Sequence, residues 1–310
     1  MPALYDLPAP AKLNLFLHVV GRRADGYHLL ESVFALIDWQ DTLHIETRPD
    51  GQIRRHDLGQ TLPADDLCLR AARLLQHAGQ VTAGCDIHID KRLPSGAGMG
   101  GGSSDAATVL LALNALWELD WPLARLAALA LKLGADVPFF VHGRSAWVSG
   151  VGEHIAPLPD DPALGAVLNA SVAIVKPPIV VPTAAIFGAP NLKRDTPHAI
   201  VEGFLAAPQS FGRNDLQGPA EAYVPAEHPD QAGQITQALT TMQNQYGNSR
   251  MTGSGSAVFS WVSPRSAAHT DPAPPAPVLP GTGWLGRVCR TLDRHPLHAQ
   301  LTPPGDTLPM

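Results

Sequence analysis

The run Leu93-Pro94-Ser95-Gly96-Ala97-Gly98-Met99-Gly100-Gly101-Gly102-Ser103-Ser104-Asp105 constrains this chain more than any other segment. With so few side chains it exposes its own N–H groups, and glycine tolerates the positive φ angles that aim several of them at one anion. Two serines close the run at the expected start of a long helix. A helix start adds a positive dipole end and unpaired N–H donors at the same place. Phosphate is the ligand such a loop suits.

The flanks support that reading. Upstream, Ile87 and Ile89 alternate with His88 and Asp90, the period of a strand with one buried face. Downstream, Ala106, Val109, Leu110, Leu113 and Trp117 recur at helical spacing, which predicts an amphipathic helix. Two familiar phosphate motifs fit poorly. A Walker A loop needs Lys before its Ser, and the register from Gly96 puts Gly102 there. Gly96-x-Gly98-x-x-Gly101 matches the dinucleotide pattern, but that motif follows a buried parallel strand, and this one carries His88, Asp90 and Lys91.

Composition narrows the partners. A chain of 310 residues, 45% hydrophobic and 16% charged, is globular and long enough for about two domains. Its net charge of -6 argues against nucleic acid as a partner, since binding a phosphate backbone needs a basic surface. Any anionic ligand must meet a local site. Cys68, Cys85 and Cys289 are widely spaced and odd in number, as expected of reduced, core-filling thiols in a cytoplasmic protein. No stretch reaches the roughly 18 apolar residues of a membrane span, and the N-terminus has no signal-peptide pattern. The 13 histidines form no His-x-x-x-His pair and have no Cys-x-x-Cys partner, so no transition-metal site is expected and most should be surface residues.

Along the chain, Leu13, Leu15, Leu17 and Val19 alternate with Lys12, Asn14, Phe16 and His18, a strand that presents Lys12 and Asn14 together. Thr42–Glu46 reads as another strand, and Asp65-Asp66 as a cap before a helix carrying Leu67, Ala71, Leu74 and Leu75. After the glycine-rich helix, a second helix spans Leu123–Leu133 and stops at Gly134. Asp136 is placed to cap a short helix with Pro138 in its first turn. A composition shift near Asp160-Asp161-Pro162 marks the expected boundary between domains 1–160 and 161–301, with a tail at 302–310. The second half contains a buried-type strand at Ala170–Val175. It also has a small-residue loop, Met251-Thr252-Gly253-Ser254-Gly255-Ser256, which reads equally as a tight turn or a ligand-facing segment. Residues 267–283, rich in Pro, Ala and Gly, read as an exposed linker before a last strand at Trp284–Arg290.

Taken together, Pro94 to Ser104 and Gly253 to Ser256 resemble the two glycine loops of the galactokinase, homoserine kinase, mevalonate kinase and phosphomevalonate kinase (GHMP) superfamily. Five further segments resemble the branch whose acceptor carries a cytidine diphosphate group, in the non-mevalonate route to isoprenoids. They are Pro10–Leu15, Arg23–His28, Asp90–Pro94, Leu133–Pro138 and Asn214–Leu216. The resemblance implies an α+β, two-domain fold. Its N-terminal α/β domain is of the ribosomal protein S5 domain 2 type, and its C-terminal domain is ferredoxin-like.

The resemblance also implies a division of labour. ATP, with Mg2+, would lie on Lys91, Pro94, Gly96, Ala97, Gly98, Met99, Gly100, Gly101, Gly102, Ser103 and Ser104. A small-molecule cytidine diphosphate substrate would meet Asn14, Tyr27, His28, Thr183 and Phe187, with Tyr27 stacking on the pyrimidine and His28 bonding its edge. The catalytic pair would be Asp136 and Lys12. An ammonium keeps a neighbouring carboxylate ionised, which makes it a weak base toward an alcohol. Phosphoryl transfer through a loose transition state needs little early activation, so Asp136 would orient the hydroxyl and accept its proton late. Lys12 would stabilise charge on the transferred group. Ala97 and Asp66 depart from the family pattern, which often has Gly and Asn at these places.

Overall fold

The chain begins with a long hairpin in which β1 (Ala3–Arg22) pairs antiparallel with β2 (His28–Arg48), from Ala3 opposite Glu46 to Arg22 opposite His28. This is a computed structural model, and it describes residues 1–262 and 275–301. Next come β3 (Ile53–Asp57), α1 (Leu67–Gly79) and β4 (Gly84–Asp90). They form a crossover in which β3 lies parallel to β4, and β4 pairs antiparallel with the Thr42–Arg48 end of β2. The helices α2 (Gly101–Leu116), α3 (Leu123–Ala130) and α4 (Val137–His142) precede β5 (Ala146–Gly150) and β6 (His154–Pro157). β5 takes the Leu30–Phe34 end of the same β2 edge.

The second half runs β7 (Ser171–Lys176), α5 (Thr183–Gly188), α6 (Val201–Ala206), α7 (Gln217–Glu221), α8 (Gln234–Tyr246), β8 (Arg250–Met251), β9 (Val258–Trp261), β10 (Leu285–Leu292) and α9 (Pro296–Leu301). Its strands lie in the order β10-β7-β9-β8, every pair antiparallel, as in a ferredoxin-like sheet. β10 also joins the halves. Leu285–Arg290 pair with β7, while Thr291 and Leu292 pair with Ile37 and Leu36 of β2. α9 then returns to the first half, where Leu297 packs into the core beneath α2 and α4.

Burial explains these choices and alters some expectations. Every residue of α2 from Ser104 to Leu113 is buried, so this helix is central rather than amphipathic. It is covered by the sheet on one side and by α1, α3 and α4 on the others. β7 is buried on both faces, Val172 and Ile174 packing into one cluster and Ala173 and Val175 into another. His18 and His295 are buried, against the expectation of surface histidines, and burial pushes His295 down to about 3. All three cysteines are free and buried.

Of the expected linker 267–283, residues up to 274 lie outside the described residues, as does the tail 302–310. The remainder is anchored to α8. Tyr246 Oη donates to the Pro275 carbonyl, and the Val278 N–H donates to Gln245 Oε1.

Leu110 is fully buried in the middle of α2. Leu110→Ala should therefore destabilise the protein by about 2–5 kcal/mol, read as a lower urea midpoint with an unchanged slope.

Candidate active site

Two cavities meet at the glycine-rich loop. One, about 280 Å3, lies between the halves and is lined by Lys12, Asn14, Asp136, Thr183, Phe187 and Gly253. The other, about 400 Å3, runs between the loop and the start of α1 and includes Asp66, Lys91 and Pro94. Gly96, Gly98 and Gly100 line both. The two cavities therefore share three backbone positions. All three have positive φ, between 61° and 73°, which glycine adopts without a steric penalty.

The loop is fastened from the second half. Ser256 N–H donates to the Gly96 carbonyl at 3.2 Å and Ala257 N–H to the Ala97 carbonyl at 3.2 Å. The two glycine loops touch backbone to backbone, for a Cβ added at Gly98 would stand 2.4 Å from the Thr252 carbonyl oxygen. That close approach leaves no room for a Cβ at Gly98 or at Gly253. Asn214 holds the later loop in turn, its Nδ2 donating to the Met251 and Gly253 carbonyls at 2.7 and 2.8 Å.

Lys12 and Asn14 face the inter-half cavity two residues apart on β1. Lys12 Nζ donates to Asn14 Oδ1 at 2.5 Å and sits 3.6 Å from Asp136 Oδ2 and 4.5 Å from the centre of the Phe34 ring. Burial pushes the Lys12 ammonium below the ordinary lysine value, and Asp136 pulls it back up. Asp136 precedes α4, but its side chain makes no cap hydrogen bond and its backbone is already helical. The expected capping role is thus corrected. The carboxylate, one-third exposed, is turned instead toward Lys12 and the cavity.

On the other side of the loop, Lys91 is buried between two carboxylates. Its Nζ bonds Asp41 and, at 2.7 Å, Asp105. Burial lowers the Lys91 pKa, but Asp105 and Asp41 outweigh it, so the value lies above ordinary lysine. Burial also pushes the Asp105 carboxyl well above the usual range; Asp41 adds to that and Lys91 opposes it. Asp41 Oδ1 accepts from the N–H groups of Arg92 and Leu93 at 2.6 and 2.7 Å, so one carboxylate sets the entry of the loop. Neither Asp41 nor Asp105 was singled out by the sequence. Their partners are distant in the chain, and only a charge inside an apolar helix hinted at Asp105.

The remaining expected residues divide. Thr183 and Phe187 line the inter-half cavity, and the Thr183 and Ser254 hydroxyls share a 2.8 Å hydrogen bond. The His28 and Phe187 rings lie tilted at 31° with centroids 5.0 Å apart, but neither His28 nor Tyr27, which is 64% exposed, lines either cavity. Ala97, Met99, Gly101 and Gly102 line the second cavity. Ser103 and Ser104 begin α2 behind that surface, Ser104 Oγ being buried without a partner among the described residues. Asp66 Oδ1 is occupied by the Leu69 N–H and by Arg55 at 3.0 Å, so its carboxylate caps α1 as expected.

The fold is that of a GHMP-type small-molecule kinase. Residues 66–144 match the GHMP kinases N terminal domain. A solved mevalonate kinase superposes with a TM-score of 0.63 over 95% of this chain and 100% of that one, at 13% identity, which speaks for the fold alone. A solved 4-(cytidine 5'-diphospho)-2C-methyl-D-erythritol kinase, 36% identical, gives a TM-score of 0.67 over 84% of this chain and 90% of that one. The 4-diphosphocytidyl-2-C-methyl-D-erythritol kinase of Methylibium petroleiphilum is 56% identical over 96% of this chain and 98% of its own length. That of Paracidovorax citrulli is 50% identical over 96% and 97%. At this similarity the chain belongs to the 4-diphosphocytidyl-2-C-methyl-D-erythritol kinase family.

Gly98→Ala forces a Cβ into the Thr252 carbonyl at a positive φ. It should cost about 1–3 kcal/mol in urea unfolding and weaken ATP binding in calorimetry, because the two loops must separate.

Proposed function

We propose that this chain transfers the γ-phosphoryl group of ATP to the 2-hydroxyl of 4-diphosphocytidyl-2-C-methyl-D-erythritol, giving the 2-phosphate and ADP. The observation that carries the reading is the seam between the cavities. Lys12 and Asp136 stand in the inter-half cavity, beside glycines that also line the other. ATP occupies the cavity beside Lys91 and the α1 start, with its phosphates along Gly96–Gly102. The acceptor occupies the cavity bounded by Thr183 and Phe187. Residues 1–160 form the ATP-binding part, and 161–301 supply the far wall and the second glycine loop.

In the transfer, the acceptor oxygen forms a bond to the γ-phosphorus as the bond to the bridging oxygen of ADP breaks. Lys12, whose charge is already shared with Asn14 and Asp136, stabilises the equatorial oxygens. Asp136 orients the hydroxyl and takes its proton late. Its freedom from capping leaves the carboxylate available for that work. The central, buried α2 keeps the loop fixed, so positioning costs little at the moment of reaction.

Mg2+ accompanies ATP in this chemistry and neutralises phosphate charge. Among the described residues no cluster of three or more His, Cys, Asp or Glu suits a metal, in keeping with an ion held largely by phosphates and water. Ser103 and Ser104 stand in the first turn of α2 and line neither cavity, and Ser104 is fully buried. The buried free thiols, and the fact that no described helix is long and apolar enough to cross a membrane, support action in the cytoplasm.

ADP release should be seen with the cytidine diphosphate alcohol and not with mevalonate or homoserine. Equal turnover of the last two would overturn the acceptor assignment. Asp136→Asn keeps the shape and removes the charge; kcat should fall about 100-fold or more with KM little changed. Turnover near wild type with intact binding would remove Asp136 from the chemistry.

A further inference from the structure

Ser32, a residue that no sequence pattern singles out, lies among the groups assigned to the chemistry. It is on β2, 2% exposed, and lines the inter-half cavity with Lys12 and Asn14. It stands where β1 is irregular. Asn14 lies opposite Phe34 and Leu17 opposite Ser32, so Leu15 and Phe16 together face Val33 alone, a β-bulge. Side chains take both carbonyls of the bulge. Arg250 Nη1 donates to that of Leu15, and Ser32 Oγ donates to that of Phe16 at 2.5 Å.

From the Phe16 carbonyl, the direction of every hydrogen bond back to the ammonium follows. A carbonyl only accepts, so the single Ser32 hydroxyl proton points at it; the next nearest acceptor, Val33 at 3.5 Å, is also a carbonyl. Ser32 Oγ then has only lone pairs to offer Asn14. The amide answers with its N–H, Nδ2 donating to Ser32 Oγ at 3.0 Å. Its other end, Oδ1, is thereby turned to Lys12 and accepts from Nζ at 2.5 Å. A reversed amide would set Nδ2 against the ammonium, donor to donor, and Oδ1 against an oxygen with no proton to give. The Asn14 backbone is pinned as well, its N–H donating to Thr252 Oγ1 at 2.8 Å. Lys12 is thus held by an amide of fixed direction, with Asp136 Oδ2 3.6 Å away and the centre of the Phe34 ring 4.5 Å away.

We propose that Ser32 is a positioning residue for phosphoryl transfer: it fixes the Asn14 side chain with its oxygen toward Lys12, and so fixes the ammonium that meets the transferred group. The inference rests on Lys12 having that part in the proposed function. Ser32 touches no reacting atom and acts through Asn14. A loose transition state leaves little covalent work for the protein, so the rate depends on where the cation stands. The effect of Ser32 therefore belongs to kcat and not to the binding of either substrate.

Ser32→Ala removes the hydroxyl with little change of volume. It should lower kcat about tenfold and leave KM for ATP and for the acceptor within about twofold, while Ser32→Thr, which keeps the hydroxyl, recovers most of the loss. A hydroxyl that serves only the bulge carbonyl would lower the urea midpoint and leave kcat unchanged, and that result overturns the proposal. A double-mutant cycle separates the two roles further. In an Asn14→Ala background, Ser32→Ala should cause no additional fall in kcat, because the path to Lys12 is already cut. Losses that multiply independently place Ser32 outside that path and also overturn the proposal.

Should Ser32→Ala fail to fold, neutron diffraction from deuterated wild-type crystals decides the matter. The Ser32 deuteron should lie toward a backbone carbonyl and Asn14 Nδ2 toward Ser32; Asn14 Oδ1 facing Ser32 would reverse the chain of bonds and end the argument. Lys12→Met with kcat near wild type would remove Lys12 from the chemistry, and the proposed mechanism would fall with it. An inactive Lys12→Met beside a fully active Ser32→Ala sinks the Ser32 assignment alone.

Discussion

The outer edge of β1 is the constraint on which the site depends. One edge of this strand is paired with β2 along its length, and the other would be left with a row of unsatisfied N–H and C=O groups. Instead it serves as a rail for both glycine loops and for the segment at Arg213–Asp215. Lys12 N–H donates to the Met99 carbonyl in the first glycine loop, and Asn14 N–H to Thr252 Oγ1 in the second. Further along, Leu17 N–H donates to the Arg213 carbonyl and Val19 N–H to Asp215 Oδ2. Side chains on the same strand line the inter-half cavity. Backbone pairing and cavity lining are thereby set by one register, because Lys12 and Asn14 project from residues whose own N–H groups hold the loops.

The loops are then made rigid by means other than their own side chains, of which they have few. Carbonyl groups of the first loop accept N–H donors from the second, and Asp41 anchors the residues that lead into it. The buried Lys91, Asp41 and Asp105 group is expensive in isolation. Lost solvation is offset only because one ammonium is shared by two carboxylates and one of those also accepts two backbone N–H groups. Such an arrangement contributes less to net stability than to uniqueness of position. Position is what phosphoryl transfer draws on.

Much of this was legible in the sequence because it is local. Strand periodicity found Lys12 and Asn14 together on β1, the glycine run found the loop, and the Asp66 cap and the buried strand at β7 followed from patterns a few residues wide. Local reasoning failed where a residue had both a local and a distant use. Asp136 looks like a helix cap from its neighbours, yet Lys12, far away in the chain, claims its carboxylate. The face of α2 was read as amphipathic for a similar reason: the helix packs against α1, α3 and α4 as well as the sheet, and no pattern within it announces those neighbours.

The sequence by itself therefore determined the groups available: a glycine-rich loop with exposed N–H groups, an ammonium, a carboxylate, and aromatic and imidazole rings. Short-range spacing and residue type were enough, since backbone conformation and hydrogen-bonding capacity are properties of a few adjacent residues. Only the tertiary structure decided which of these groups meet. The pairing of β10 with both β2 and β7, the contact of Gly98 with Thr252 and the reach of Arg194 to His28 each join residues more than a hundred positions apart. Such contacts are selected by burial of the whole chain and by satisfaction of its polar groups. No stretch of residues specifies them alone.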